Sequence, residues 1–582
     1  MQLTKRLPNR LEKRTPRLRL NLKLALTLLV LSWLIFAFLL YPNFNLLFEV
    51  FWIDGQFSTV AFERLFNSQR AMNSLRNSFL LAFSMIVTTN ILGIFCILAT
   101  EYFEVKGAKL LRLAYMSPLV YSGVVFVASF NFLYGSNGIV TRILYDLFPY
   151  MNRGWFQGFG TVLFVTTFAG TYNHMIFLKH AIRGIDYQTI EAAKSMGASP
   201  WNILRKVVLP VLKPNIMAIT VLVFLIGLSA TSAPMIIGGQ QFQTINPLII
   251  TFARNINTRD LAAALSLVLG LATIVVLAIT KKIEAKTNYL SVSKVKTSLV
   301  KQKIENPLAN FIVHLLAYLI FAIYALPVVL VILFSFADPQ SIATGNFAWD
   351  RLTLENYLSL FTQSDAFRPY LISIIYSGLA ALMVVAIVLV VVRLLHKYKK
   401  KLAILEYFMM IPWLLPSTLI AVALMVTYDR PSIWIGNQVL VGSYAMLLFA
   451  YVIVLIPFTL RMLKASFYSI DSSLEEASKS MGAGSFRTFF KVVLPTILPT
   501  ILSVIAMNFN NQMADFDLTL MLFHPFVEPL GIVIMSATGE NAGINARVML
   551  LVYTVVLMAM STLVLCLVNG AFKKPNWKRK NS

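Results

Sequence analysis

Long apolar runs separated by short polar ones recur along the whole of this 582-residue chain. Twelve of the runs have the length, about 20 residues, with which a helix crosses a hydrocarbon layer of roughly 30 Å. They lie near 22–41, 75–99, 110–134, 157–180, 212–237 and 260–280, and again near 310–336, 370–395, 402–427, 438–462, 496–522 and 548–569. Between the two sets the chain reads KKIEAKTNYLSVSKVKTSLVKQKIEN, residues 281–306, which is polar, basic and free of any long apolar run. The pattern predicts an all-α membrane protein of about twelve transmembrane helices in two halves, 1–280 and 310–582, with a linker at 281–309. An even number of crossings precedes the linker, so the halves are parallel repeats with the same orientation.

Composition agrees: hydrophobic residues make up 58% of the chain and charged residues 13%. A net charge of +25 in a soluble protein would suggest nucleic acid. Its distribution excludes that partner, because with the N-terminus inside, 39 of the 50 Lys and Arg fall in the tail, the inner loops, the linker and the C-terminus. The partner is the lipid bilayer, and both termini and the linker are expected on the cytoplasmic side. The basic first twenty residues resemble the start of a signal peptide, but no small-residue cleavage site follows the run at 22–41. The tail is expected to sit against anionic headgroups. Cys96 and Cys566 lie inside predicted spans, so neither a disulfide framework nor a thiolate metal site is indicated.

The most polar passages between spans are copies of each other. EAAKSMGASPWNILRKVVLP, Glu191 to Pro210, and EASKSMGAGSFRTFFKVVLP, Glu476 to Pro495, agree at twelve of twenty positions when Gly197 is set against Gly482. Each follows a span ending in basic residues and offers Asp186 or Asp471 as a helix N-cap. In the second copy Ser473 and Glu476 also have the spacing of a capping box. Gly197 and Gly482 can take the left-handed conformation that closes a helix, and Ser199-Pro200 restarts one. The prediction is a helix, a tight turn and a second helix joined to the next span by Leu209-Pro210 or Leu494-Pro495. This L-shaped knob would face something outside the membrane. A second correspondence sets Pro118 against Pro412, with an insertion in the first half's outer loop around 135–156.

Glu-Ala-Ala, three residues, Gly, nine residues and Ile-any-Leu-Pro form the EAA signature of membrane subunits of bacterial ATP-binding-cassette importers. The first copy is similar except for Val207 at the Ile position, and the second has Ser478 for the last Ala and Val492 for Ile. Over essentially its whole length the chain resembles fused double permeases of the ferric-iron and thiamine type. The resemblance implies a type I importer permease fold in a bacterial inner membrane. It also implies that the two loops, 186–210 and 471–495, dock on two copies of a cytoplasmic ATPase. Glu191, Ala192, Ala193, Gly197, Leu209 and Pro210, with Glu476, Ala477, Gly482, Leu494 and Pro495, then carry the coupling. An extracytoplasmic solute-binding protein is implied as well. Ferric iron is the favoured cargo, and thiamine, phosphonate and polyamine importers share the plan. The sequence has no Gly-any4-Gly-Lys-Ser/Thr loop to cradle a nucleotide, so the chain is expected to be no enzyme, to hold no cofactor and to leave ATP hydrolysis to its partner.

Other classes fit less well. A membrane enzyme would concentrate His, Asp, Glu or Cys, yet the five histidines are scattered, and His524 near Asp517 and Glu528 lacks metal-site spacing. A secondary transporter would have no use for paired ATPase loops. For the translocation path the candidate is MNFNNQMADFD, 507–517, where Asn508, Asn511, Gln512 and Asp515 would form one stripe on a helix. The matching first-half stretch supplies Gly227, Ser229 and Thr231 as a smaller opposite wall. The competing expectation is that the stripe ties neighbouring helices together.

Overall fold

A computed structural model describes residues 22–53, 55–119, 123–286, 299–345, 347–398, 402–539 and 542–571. The basic N-terminal tail and most of the linker lie outside these residues. Helices dominate because hydrocarbon cannot hydrogen-bond to backbone N–H and C=O groups, and a helix satisfies them within one segment. Among the described residues ten helices are long and apolar enough to cross a membrane. A bent pair, Ala403–Trp413 and Ser417–Tyr428 at 102°, makes an eleventh.

The remaining expected span, 157–180, is divided at Thr171 into Phe159–Gly170 and Tyr172–Arg183. The break is chemically supported: the Thr171 hydroxyl donates to the Phe168 carbonyl at 2.9 Å and Asn173 Nδ2 donates to the Gly170 carbonyl at 3.0 Å. The third span is interrupted in both halves at the matched prolines. Short turns at Ser117–Leu119 and Ile411–Trp413 separate a first helix from a second beginning at Gly123 or Ser417. The first half's last helix runs to Lys286, beyond the predicted edge at 280, and the seventh span starts at Pro307 behind an Asn306 cap.

The first helix of each half packs on the other half as well as on its own. Leu22–Ile35 continues through a widened turn into Tyr41–Phe51. Along it the Tyr428 hydroxyl donates to the Ala37 carbonyl, Asn45 Nδ2 donates to Thr427 Oγ1 at 3.2 Å, and Trp33 Nε1 donates to the Trp434 carbonyl at 2.9 Å. The seventh span, Pro307–Ser335, is held against the first half in the same way. Tyr115 donates to the Ala317 carbonyl at 2.8 Å and Tyr324 to the Phe168 carbonyl at 2.7 Å. The two large apolar cores are consequently shared: one joins Leu265 and Leu269 to Val422 and Leu424, the other joins Tyr115 and Val125 to Tyr324 and Val552. Approach is close at Gly270, where an added Cβ would lie 2.5 Å from Leu419 Cδ1.

The charge pattern predicts which face is which, and exposure selects the probes. Asn137, Gln340 and Met481 are exposed. In intact cells an impermeant thiol reagent is expected to label Asn137→Cys and Gln340→Cys and to spare Met481→Cys until the membrane is opened. Labelling of Met481→Cys in intact cells would reverse the topology.

Candidate functional site: two loop helices and a polar seam

Both repeated passages fold alike. Asp186 caps Tyr187–Ser195 by accepting from the Gln188 N–H at 3.2 Å, and Asp471 caps Ser472–Ser480 by accepting from the Ser473 N–H at 3.0 Å. The expected capping box is not formed, because Ser473 lies inside the helix that Asp471 caps. The helices end at Gly197, φ +79°, and Gly482, φ +81°. Gly197 N–H reaches the Lys194 carbonyl at 2.8 Å and Ala198 N–H the Ala193 carbonyl at 3.0 Å; the second copy repeats this from Gly482 to Lys479 at 2.9 Å and from Ala483 to Ser478 at 3.1 Å. This paired return of N–H groups closes a helix whose next residue is left-handed. The third residue of the signature, Ala193 or Ser478, therefore anchors the turn through its carbonyl.

The joint to the membrane is a widened turn. Proline at 210 or 495 has no N–H and crowds the carbonyl four residues earlier. The chain responds by bonding Leu209 N–H to the Leu204 carbonyl and Leu494 N–H to the Phe489 carbonyl, five residues back. Each knob thus continues into its span, Leu209–Leu228 or Leu494–Met513, without an unpaired linker.

Glu191, Ala192, Glu476 and Ala477 are exposed, while Ala193 and Ser478 face inward. The apolar tips beside them were not among the residues expected from the sequence. Met196 and Met481 are each 81% exposed, Trp201 65% and Phe486 76%. Oily side chains this exposed at matched positions of both copies mark a surface made to be covered. Their signal in the sequence was an aromatic at the same register in each copy, which one copy alone would not reveal.

The second copy's departure at Ser478 has a local explanation. Ser478 Oγ and Thr488 Oγ1 are 3.0 Å apart and buried. At the matched positions the first copy holds Ala193 and Ile203, both buried. An apolar pair in one loop is replaced by a hydrogen-bonded pair in the other.

The proposed polar stripe is not formed as expected. The helix ends at Met513, so Asp515 lies beyond it. Asn508 is buried and donates to Thr459 Oγ1 at 2.8 Å, Gln512 is buried, and only Asn511 of the three helical members is exposed. Asp515 instead caps the next short helix, Thr519–Leu522, accepting from the Thr519 N–H at 3.0 Å and its hydroxyl at 2.8 Å. Gly227 does not widen a path: an added Cβ would lie 2.8 Å from Ala82 Cα, so its missing side chain lets Gln69–Ile97 approach.

Ser229 and Thr231 lie where the first half's fifth span breaks, between Leu209–Leu228 and Ser232–Ile237, opposite the second half's break after Met513. The first of these breaks joins a polar seam between halves. Asn246 Nδ2 donates to the Ser229 carbonyl at 2.7 Å and to Thr231 Oγ1 at 3.1 Å. Thr418 donates to Asn246 Oδ1 at 3.0 Å. Asn246 and Thr418 were not among the residues expected from the sequence. A cavity of about 870 Å³ is lined by both halves, including Asn131, Gln157, Gln240, Thr538 and Arg547.

The helical body thus carries two matching knobs with the same cap, turn, joint and exposed apolar tip. Residues 111–289 and 395–572 each match the family described as binding-protein-dependent transport system inner membrane component. The two matches cover more than half of the chain, and the protein belongs to that family, with two copies of its domain fused in one polypeptide. Among curated relatives, the "Probable ABC transporter permease protein y4fN" of Sinorhizobium fredii is 36% identical over 93% of this chain and 95% of its own length. The "Ferric transport system permease protein FbpB" of Actinobacillus pleuropneumoniae is 24% identical over 84% of this chain and 70% of its own. The "Glucose import system permease protein GlcT" of Saccharolobus solfataricus is 28% identical over 29% of this chain and 60% of its own.

Two outcomes follow from the loop geometry. Ser478→Ala leaves a buried Thr488 hydroxyl without its partner and is expected to destabilise the second loop by about 1–3 kcal/mol. Adding Thr488→Ile, which recreates the first loop's pair, is expected to recover most of the loss, read by protease sensitivity of the 471–495 segment. Gly197→Val with Gly482→Val meets no steric neighbour, yet forces a β-branched residue to positive φ. Transport is expected to fail in that double variant with the membrane body intact, and normal transport would remove the knobs from the mechanism.

Proposed function

We propose that this chain is the permease of an importer in a bacterial inner membrane. It forms the path for a solute and couples that path to two copies of a separate ATPase. The observation that carries the reading is the duplicated knob, with the same cap, left-handed glycine, widened Leu-Pro joint and exposed Met and aromatic tip in both copies. Glu191, Ala192 and Gly197, with Glu476, Ala477 and Gly482, occupy its exposed surface, and Leu209-Pro210 and Leu494-Pro495 convey its displacement to the fifth spans. A solute-binding protein delivers cargo at the outer face, where the amide-rich cavity between the halves receives it. Termini and linker are cytoplasmic, in keeping with the charge distribution.

The proposed cargo is ferric iron, supported by the relative named for ferric transport that aligns over most of the chain. The glucose-import relative aligns over a smaller share. Purification of the assembled complex is expected to give two ATPase copies per chain, and a single copy would defeat the two-knob reading. In vesicles supplied with the binding protein encoded beside this chain, ATP-dependent uptake of radiolabelled ferric iron is expected. Uptake of thiamine or aminoethylphosphonate in its place would replace the cargo and leave the machinery standing.

For the path, Asn511 is the exposed residue of the three on the helix, and its counterpart in the first half, Ile226, is exposed as well. Asn511→Leu is expected to reduce uptake while the complex assembles and hydrolyses ATP. Asn508→Leu, which breaks the bond to Thr459, is expected to reduce assembly. Wild-type uptake by Asn511→Leu would take that residue off the path.

A further inference from the structure

At its inner end each half carries an ion pair, its carboxylate largely buried, between its second membrane helix and the arm that bears the knob, and the polarity is reversed from one half to the other. In the first half the acid is on the membrane helix. Glu101, its side chain 3% exposed, receives Arg183 Nη2 at 2.9 Å and Nε at 3.0 Å, three residues ahead of the Asp186 cap, and Arg112 Nη2 at 2.5 Å. Lys301, from the end of the linker, donates to the adjoining Thr100 carbonyl at 2.7 Å.

In the second half the base is on the membrane helix. Arg393 Nη1 meets Glu475 Oε1 at 2.6 Å, with His396 and Lys479 each 4.0 Å from the same carboxylate. Glu475 is part of the knob helix itself, at the position the first knob fills with the buried Ile190. Both pairs join residues 82 apart. A second position is reversed as well: six residues before the matched prolines stand Arg112, bound to Glu101, and Glu406, bound to Lys464. Burial alone would raise the Glu475 carboxyl, but the hydrogen bond and charge of Arg393 outweigh it and hold the group below the usual carboxylate range.

We propose that these pairs are latches that make each knob move as one piece with the second membrane helix of its own half. Arg183, Arg393, Glu101 and Glu475 are thus positioning residues for coupling. The inference rests on the reading of the knobs as ATPase seats.

The test uses the complete complex. A cysteine at Met481, cross-linked to the ATPase, reports the seat independently of the latch. If the otherwise wild-type complex gives no cross-link, the seat reading fails, whatever the latch does. Glu475→Arg and Arg393→Glu are each expected to lower uptake about tenfold. ATP hydrolysis is expected to continue in both without responding to the loaded binding protein. The two reversals together are expected to restore uptake and that response. Wild-type uptake in the single variants, or no recovery in the pair, would overturn the latch. Where a reversal prevents assembly, Glu475→Gln retains the shape and is expected to uncouple in the same way, and full coupling in it also overturns the proposal.

Discussion

Hydrocarbon offers no hydrogen bonds, and everything else in this structure answers to that constraint. Where the helices are continuous the backbone looks after itself. Where they break, polar side chains bond exposed backbone groups: Thr171 and Asn173 at the fourth span, Asn246 at the Ser229 carbonyl, Thr244 at the Ala230 carbonyl, Asp515 at the Thr519 N–H. Inside continuous helices polar residues tie neighbours together instead, as Asn508 does with Thr459. The break after Leu228 is tied to the seam that joins the halves.

The exchange of first helices turns two repeats into one body. Since each core contains residues of both halves, neither half can shift without disturbing packing it shares with the other. The widened Leu-Pro turns keep each knob and its fifth span hydrogen-bonded through the joint, and ion pairs join Glu101 to Arg183 and Arg393 to Glu475.

Comparison of the two copies separates what the geometry holds fixed from what it lets vary. Cap, left-handed glycine and Leu-Pro joint are the same in both. The interior varies in compensated steps: Ala193 with Ile203 becomes Ser478 with Thr488, and the apolar plug Ile190 becomes the charged latch Glu475 with Arg393. Outer faces keep the oily tips, Met196 and Trp201 against Met481 and Phe486.

By itself the sequence determined the helical membrane class, the two-fold repeat, the sidedness of the charges, and the cap and turn chemistry of the loops. All of these follow from local period, local composition or a positive-φ glycine, which act within a few residues. It could not place Asp515 beyond the end of its helix or assign Gly227 to a helix crossing, because both depend on where a distant segment lies. Nor could it bring Glu101 to Arg183, Arg393 to Glu475, or Asn246 to Thr418, since those contacts join residues 82 to 172 positions apart. Such pairings were decided by how the spans cross and exchange between halves, and that is fixed by the summed packing of all the helices, which no single stretch of sequence carries.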